Sequence, residues 1–304
     1  MTLPLDSSAD PLAVCVEAAR AGGRVLREWR GRFAVSRKGP RDFVTEADYA
    51  AQREIRRIVA AAFPAHGFVG EEAEAGGGQP ASGEPGHSGR GLRWIVDPLD
   101  GTSNYVHDFP AYCVSIALAD GDELLVGAIY DPLRDECFTA RTGGGAFLDE
   151  RPLRVPDVTD PAEVMAAVSF PPHVQADSPA VADFLAVLPH VHTVRRTGST
   201  ALNLAYVACG RLHAFWVRRI SCWDVAAGLL IAREAGAALG PCTAAACPGD
   251  PIPLDAPGLI AGSSPPVFHA IQRMLHGGLP VVPIMRAAKS AQDGRSGKDL
   301  PGAR

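Results

Sequence analysis

The sequence predicts an α+β protein, with two helices first, antiparallel hairpins next, and strands alternating with helices in the second half. Three observations predict it. Capped helical segments occupy about 12–29 and 46–62, short apolar runs parted by turn residues fill the stretch from 92 onward, and strand-like runs alternate with capped helical ones after 165. With 304 residues, 47% hydrophobic and 21% charged, the chain has enough apolar material for one large domain or two small lobes.

The first helix is expected from Leu12 to Trp29. Asp10 suits the N-cap, Pro11 the first helical position because its missing N–H would be unpaired there, and Gly31 the C-terminus. The second starts in "TEAD", with Thr45 as cap and Asp48 three residues on, and runs to Ala62 before Pro64 stops it. No strand is expected before these two helices. "GFVGEE" is a short apolar approach to Glu71 and Glu72, and the Gly/Pro/Ser-rich stretch from Ala73 to Gly91 reads as a mobile surface loop. "LRWIVD", "CVSIALAD", "LLVGAIYD" and "CFTAR" read as strands; "DGDE" and "PLRDE" link the last three as hairpins, and "GGGAFLDERPLRV" adds a turn and short strand.

The second half opens with the strand "VMAAVSF" and a helix near Ala180 to Leu188. "HTVRRTGSTALNLAYVACG" gives a strand and then a helix capped by Ser199 or Thr200 and ended by Gly210, after which "RLHAFWV" is a strand. "SCWDVAAGLLIAREAGA" is a helix with Ser221 as cap and Gly236 as stop. The expected organisation is a single domain over 1–276, with lobes over about 10–155 and 156–276, and a disordered, proline-broken tail over 277–304.

A net charge of -5 provides no global positive field to hold nucleic acid or an anionic membrane. The seven cysteines are scattered and never form a C-x-x-C pair, so neither a disulfide framework nor a zinc site is indicated and the thiols are expected to be reduced and mostly buried. No secretory signal or run of membrane-spanning length is visible. A cytoplasmic protein is the expectation.

Three acidic sites remain: Glu71–Glu72, Asp97 with Asp100, and Asp224. Carboxylates gathered without cations repel one another, so such a cluster is stable mainly when hard divalent ions occupy it, magnesium above all. In "DPLDGT" Pro98 shapes a turn that lets Asp97 and Asp100 share an ion, the Leu99 carbonyl offers a further oxygen, and Gly101 lets the backbone approach an anion. A helical turn beginning at Thr102 and Ser103 would present free N–H groups to phosphate. Taken singly, Asp48 and Asp224 are also what a capping box requires, and Glu71 and Glu72 what a solvated loop carries.

In combination, "GEE", "WIVDPLDGTSNYVHDFP" and "WDVAAG", in this order, resemble the inositol monophosphatase family of magnesium-dependent phosphatases over about residues 10–275. The resemblance implies a layered α-β-α-β-α sandwich of the inositol monophosphatase and fructose-1,6-bisphosphatase type with a mostly antiparallel first sheet, a small phosphate ester as substrate, no nucleic-acid or membrane partner, and a homodimer. By motif position it implies that Glu71, Asp97, the Leu99 carbonyl, Asp100 and Asp224 hold about two to three magnesium ions. Thr102 with Asp48 matches the water-activating pair, beside Glu71. The N–H groups of Gly101 and Thr102 match the phosphate cradle, while Gly198, Ser199, Thr200 and Asp224 match the segments that touch substrate. Arg37 and Lys38 fall in the family's loop before the second helix, where they close over the metals or form a solvated basic loop. In inositol-phosphate hydrolysing members an acid precedes the "WD" helix; this chain has Val217 there, followed by Arg218 and Arg219. A valine accepts no hydrogen bond, which leaves the ester open between inositol phosphate, histidinol phosphate, sugar bisphosphates and nucleotide phosphates; Arg218 is a candidate for a second phosphate or carboxylate.

Overall fold

The computed structural model describes residues 9–39, 42–72, 91–171, 174–254 and 258–277. Most of the expected loop from Ala73 to Gly91, and the expected tail beyond Gly277, lie outside those residues. Helix α1 (Pro11–Trp29) is capped by Asp10, whose carboxylate accepts from the Leu12 N–H at 3.3 Å. Its buried face is made of small residues, including Cys15, Ala18 and Ala19, which lets it lie close to its neighbours.

The expectation that no strand precedes the end of the second helix fails. Strands β1 (Val35–Gly39) and β2 (Asp42–Thr45) pair as an antiparallel hairpin between the first two helices. Four of the five β1 residues are exposed, so the segment lacks the alternating apolar signal by which a half-buried strand is read. The hairpin delivers Thr45 as cap of α2 (Glu46–Ala62): its hydroxyl accepts from the Ala47 N–H at 3.2 Å and Asp48 accepts from the Thr45 N–H at 2.9 Å.

Strand β3 (Gly67–Gly70) runs parallel to β4 (Leu92–Asp100). After the short helix α3 (Thr102–Val106), β5 (Cys113–Asp120), β6 (Glu123–Asp131), β7 (Glu136–Arg141), β8 (Gly145–Leu148) and β9 (Arg151–Pro152) extend the sheet as the expected antiparallel meander, in the order β3-β4-β5-β6-β7-β8-β9. The second sheet contains β10 (Met165–Val168), β11 (Thr193–Arg195), β12 (Ala214–Val217), β13 (Ala238–Pro241) and β14 (Leu259–Gly262), in the order β11-β10-β12-β14-β13. Its helices are α4 (Pro179–Val187), α5 (Thr200–Ala208), α6 (Cys222–Glu234) and α7 (Pro265–Leu275).

Period-two alternation sorts the large sheet between two cores. Trp94, Val96, Val114, Ile116 and Leu118 pack with α1 and α2, whereas Ile95, Cys113, Ala117 and Ala119 face α5 and α6. Leu204 and Leu230 of those helices share that second core with Phe215 and Ala261 of the small sheet, whose other face (Ala166, Trp216, Ile260) covers Val187, Phe268 and Ile271 of α4 and α7. Five layers result, α-β-α-β-α, as expected. Each fully buried aliphatic or aromatic side chain in these cores contributes roughly 1.5–3 kcal/mol. Helix α6 lies close against β6, because a Cβ on Gly127 would meet Ala227 Cα at 3.1 Å. No described helix is long and apolar enough to cross a membrane. The cysteines are free; Cys15, Cys113 and Cys137 are buried, but Cys247 is exposed, so burial of the thiols is less general than expected.

Candidate metal centre

Residues three apart in a strand point to opposite faces, yet Asp97 and Asp100 point to one. A bulge is the reason: Asp97 pairs with Ser115 and Asp100 with Cys113, so Pro98 and Leu99 together oppose the single residue Val114. Leu99 joins Val96 in the α1/α2 core, which leaves both carboxylates on the side of α5 and α6. Asp97 Oδ1 accepts from the Leu99 N–H at 2.9 Å and locks the turn.

Asp224 arrives from the first turn of α6, where its Oδ2 accepts from the Ser221 N–H at 3.2 Å. Ser115, beside Asp97 in the ladder, donates from its hydroxyl to the Trp223 carbonyl at 3.3 Å and ties that turn to the sheet. Asp97, Asp100 and Asp224 each bring a carboxylate oxygen to within 4.8 Å of the other two. Burial pushes Asp97 well above the usual carboxylate range, and the charges of Glu71, Asp100 and Asp224 push it further. Asp224 is driven well up by burial and by the charges of Asp100 and Glu71. In Asp100 burial wins over the hydrogen bonds that favour its charged form, and its pKa is raised to about 6.

A second turn of the same sequence shows what this arrangement lacks. Asp131, Pro132 and Leu133 repeat Asp97, Pro98 and Leu99, and Asp131 Oδ1 likewise accepts from the Leu133 N–H at 2.9 Å. Three residues on, that turn has Arg134, whose guanidinium meets the buried Asp131 at 2.7 Å. The Asp97 turn has Asp100 at the same position. A buried carboxylate given an acid in place of a cation fits a bound divalent ion, and the hard oxygen donors fit magnesium.

Beside this cluster Thr102 Oγ1 lies 3.2 Å from Asp48 Oδ1 and 3.1 Å from the Leu99 carbonyl oxygen, so the structure brings the expected pair together. The other oxygen of Asp48 accepts from Thr45, backbone and hydroxyl, at 2.9 and 2.6 Å. Burial raises Asp48 to about 6, with Thr45 opposing the shift and the charge of Glu71 adding to it. Gly101, directly before Thr102, has φ +98°, and a Cβ there would meet the Ala111 carbonyl at 2.8 Å.

Asp100 is held from the far half of the chain. Its Oδ2 accepts from the Ser199 hydroxyl at 2.6 Å and the Ala201 N–H at 2.7 Å, at the start of α5. Ser199 and Thr200 are buried, Ser199 completely, and the Thr200 hydroxyl bonds to Ser169 at 2.8 Å. Their hydroxyls therefore face the protein. Gly198, at φ +91°, makes room for Asn104, whose amide donates to the Thr197 and Ala111 carbonyls at 2.8 and 2.6 Å.

Glu71 is not among the three mutually close aspartates but lies beside Asp97, whose pKa it helps to raise, and is paired with Lys38 at 3.0 Å. Arg218 is bound on its forked face by the buried Asp183 of α4, at 2.5 and 2.6 Å, so the carboxylate it meets is the chain's own. Val217 is buried in the core between the sheets and offers the site no polar group. Lys38, Ser115 and Asn104 were not assigned these contacts from sequence; a serine inside the apolar run "CVSIALAD" was the one local signal available.

Fold and site together define a layered α/β protein built around a largely buried acidic cluster suited to divalent cations. The model of the Inositol monophosphatase family matches residues 9–277, and the chain belongs to that family of phosphatases, as expected. The Nus factor SuhB of Xylella fastidiosa is 40% identical over 227 residues, 73% of this chain and 78% of that protein. The inositol-1-monophosphatase of Rhizobium meliloti is 40% identical over 230 residues, covering 74% and 83%. Among solved structures, the extragenic suppressor protein suhB of Bartonella henselae superposes with a TM-score of 0.77 at 36% identity, covering 88% of this chain and 98% of that one. The inositol monophosphatase of Anabaena gives 0.73 at 32%, covering 89% and 96%.

Proposed function

We propose that the chain is a magnesium-dependent phosphomonoesterase acting on a small phosphorylated metabolite, an inositol-phosphate-like polyol or a sugar phosphate. The observation that carries the reading is the three-aspartate cluster, with Asp97 and Asp100 buried and Asp224 half-buried, beside the Asp48–Thr102 pair. Glu71, Asp97, the Leu99 carbonyl, Asp100 and Asp224 would hold the cations. Divalent ions bound there supply positive charge against the phosphate and lower the pKa of water.

The chain's own residues account for the proton. A threonine hydroxyl has one proton to donate, and when Thr102 gives it to Asp48 its lone pairs are left to accept from a water O–H. As the water oxygen forms its bond to phosphorus, the water proton passes to Thr102 Oγ1 and the Thr102 proton to Asp48 Oδ1. The ester P–O bond breaks on the opposite side, and the departing alkoxide takes a proton from solvent. Thr45 fixes the Asp48 carboxylate for this transfer, and burial makes it a better base than an exposed aspartate. The N–H groups of Gly101 and Thr102 would cradle the phosphate, with Gly198 and the turn before α5 bordering the rest of the substrate.

Phosphate release from a panel of inositol, histidinol, sugar mono- and bisphosphate and nucleotide phosphates, with and without magnesium, tests the reading and selects the ester. Asp97→Asn should reduce turnover at least about 100-fold while the protein stays folded, since even residues behind a metal ligand cost 10–100-fold when lost. Near-normal turnover by that variant overturns the assignment. A second reading, partner binding without catalysis, is favoured by the name Nus factor carried by two relatives. Failure of the folded native protein across the whole panel would select it. A homodimer in the cytoplasm completes the proposal, and sedimentation checks the dimer.

A further inference from the structure

Lys38 sits on the exposed strand β1, yet its ammonium is turned inward. Nζ lies 3.0 Å from Glu71 Oε1 and 2.6 Å from Glu72 Oε1, and the Glu72 side chain is only 1% exposed. The Glu72 main chain is held in place: its N–H donates to Gln52 Oε1 at 3.0 Å and its carbonyl accepts from Gln52 Nε2 at 2.7 Å. The buried Gln52 is itself tightly seated, since a Cβ on Gly70 would lie 2.2 Å from its Oε1. Glu72 Oε2 is buried with no hydrogen-bond partner among the described residues. A fixed, buried carboxylate of this kind requires a counter-charge, and the hairpin brings one to it.

Glu71 is the point of conflict. Under the reading proposed above it is a ligand for a divalent cation, but here its carboxylate is bonded to an ammonium. Two cations on one carboxylate repel each other across a few ångströms at a half-buried site. We propose that Lys38 is the resident counter-ion of the Glu71–Glu72 pair, and that a divalent cation entering at Glu71 must displace its ammonium from that residue, leaving it on Glu72. Lys38 thereby sets the cation affinity of the centre as a positioning residue. The inference rests on the metal-site reading.

The test is calorimetric titration of magnesium into the native protein, Lys38→Met and Lys38→Arg, each checked for folding by its thermal melt. Removing a positive charge a few ångströms from the incoming ion should tighten binding roughly tenfold in Lys38→Met, whereas Lys38→Arg, which keeps the charge, should stay within about twofold of native. A loss of local structure would weaken binding, so the sign separates the two explanations. Equal or weaker binding by Lys38→Met, with the native protein binding normally, overturns the proposal alone. A native protein that takes up no magnesium at millimolar concentration overturns the metal-site reading and this proposal with it.

Discussion

The Ser199 hydroxyl donates to Asp100 Oδ2 at 2.6 Å, joining side chains ninety-nine positions apart, while the same oxygen of Ser199 accepts from the Leu202 N–H at 3.3 Å. One serine therefore caps α5 and aims a carboxylate of the candidate metal centre. Ser199→Ala should lower stability by about 0.5–2 kcal/mol through the lost cap, and magnesium affinity about 10–100-fold through the freed carboxylate. Urea unfolding and calorimetric titration measure the two effects. Unchanged magnesium affinity would detach Ser199 from the centre.

Thr102 is placed to orient water and pass a proton to Asp48. Thr102→Val keeps the shape and removes the hydroxyl, so turnover should fall roughly 10²–10⁴-fold while KM stays within about twofold. Thr102→Ser should retain most activity. A KM effect as large as the kcat effect would make Thr102 a binding group.

The pH dependence of stability in the metal-free chain follows from the raised carboxylates. Asp48 and Asp100 are lifted to about 6, Glu72 to about 7 and Asp97 and Asp224 well above their ordinary values, chiefly by burial. Unfolded carboxylates titrate near 4, so the folded state holds more protons, and the stability this gives is complete below about pH 4 and lost as pH rises through the folded values. In chelator, the thermal midpoint should fall between about pH 5 and 8. Magnesium should raise it most at the alkaline end, where the carboxylates are ionised and available. A chelated midpoint that climbs over this range would contradict the clustering.

Arg218 closes a bidentate pair on Asp183. Arg218→Ala strands a buried carboxylate and should lower stability by about 1–3 kcal/mol, with KM unchanged; Asp183→Asn in the same chain should recover part of the loss. A tenfold rise in KM with an unaltered melt would return Arg218 to the substrate.

What the sequence made legible was local. Asp10, Thr45, Ser199 and Ser221 announce helix starts through capping chemistry, and the hairpins announce themselves through apolar runs and turn residues. "DPLDGT" was readable because a strand, a bulge and a helix start occupy consecutive residues. Partners remote in sequence were not: Asp183 is thirty-five positions from Arg218, and Glu72 thirty-four from Lys38. The β1–β2 hairpin escaped because β1 is exposed along most of its length and β2, although it buries Val44 and Thr45, is only four residues long and leaves no period to read.

An unbulged strand would bring two aspartates to one face at a spacing of two, with the single residue between them turned away. The bulge at Pro98–Leu99 achieves the same facing with one residue more, and that residue's main chain has no opposite number in the β5 register. A carbonyl oxygen is a hard donor without formal charge. In a cluster where every carboxylate adds to mutual repulsion, a carbonyl presented this way would enlarge a coordination sphere while leaving the electrostatic load on the metal-free fold unchanged.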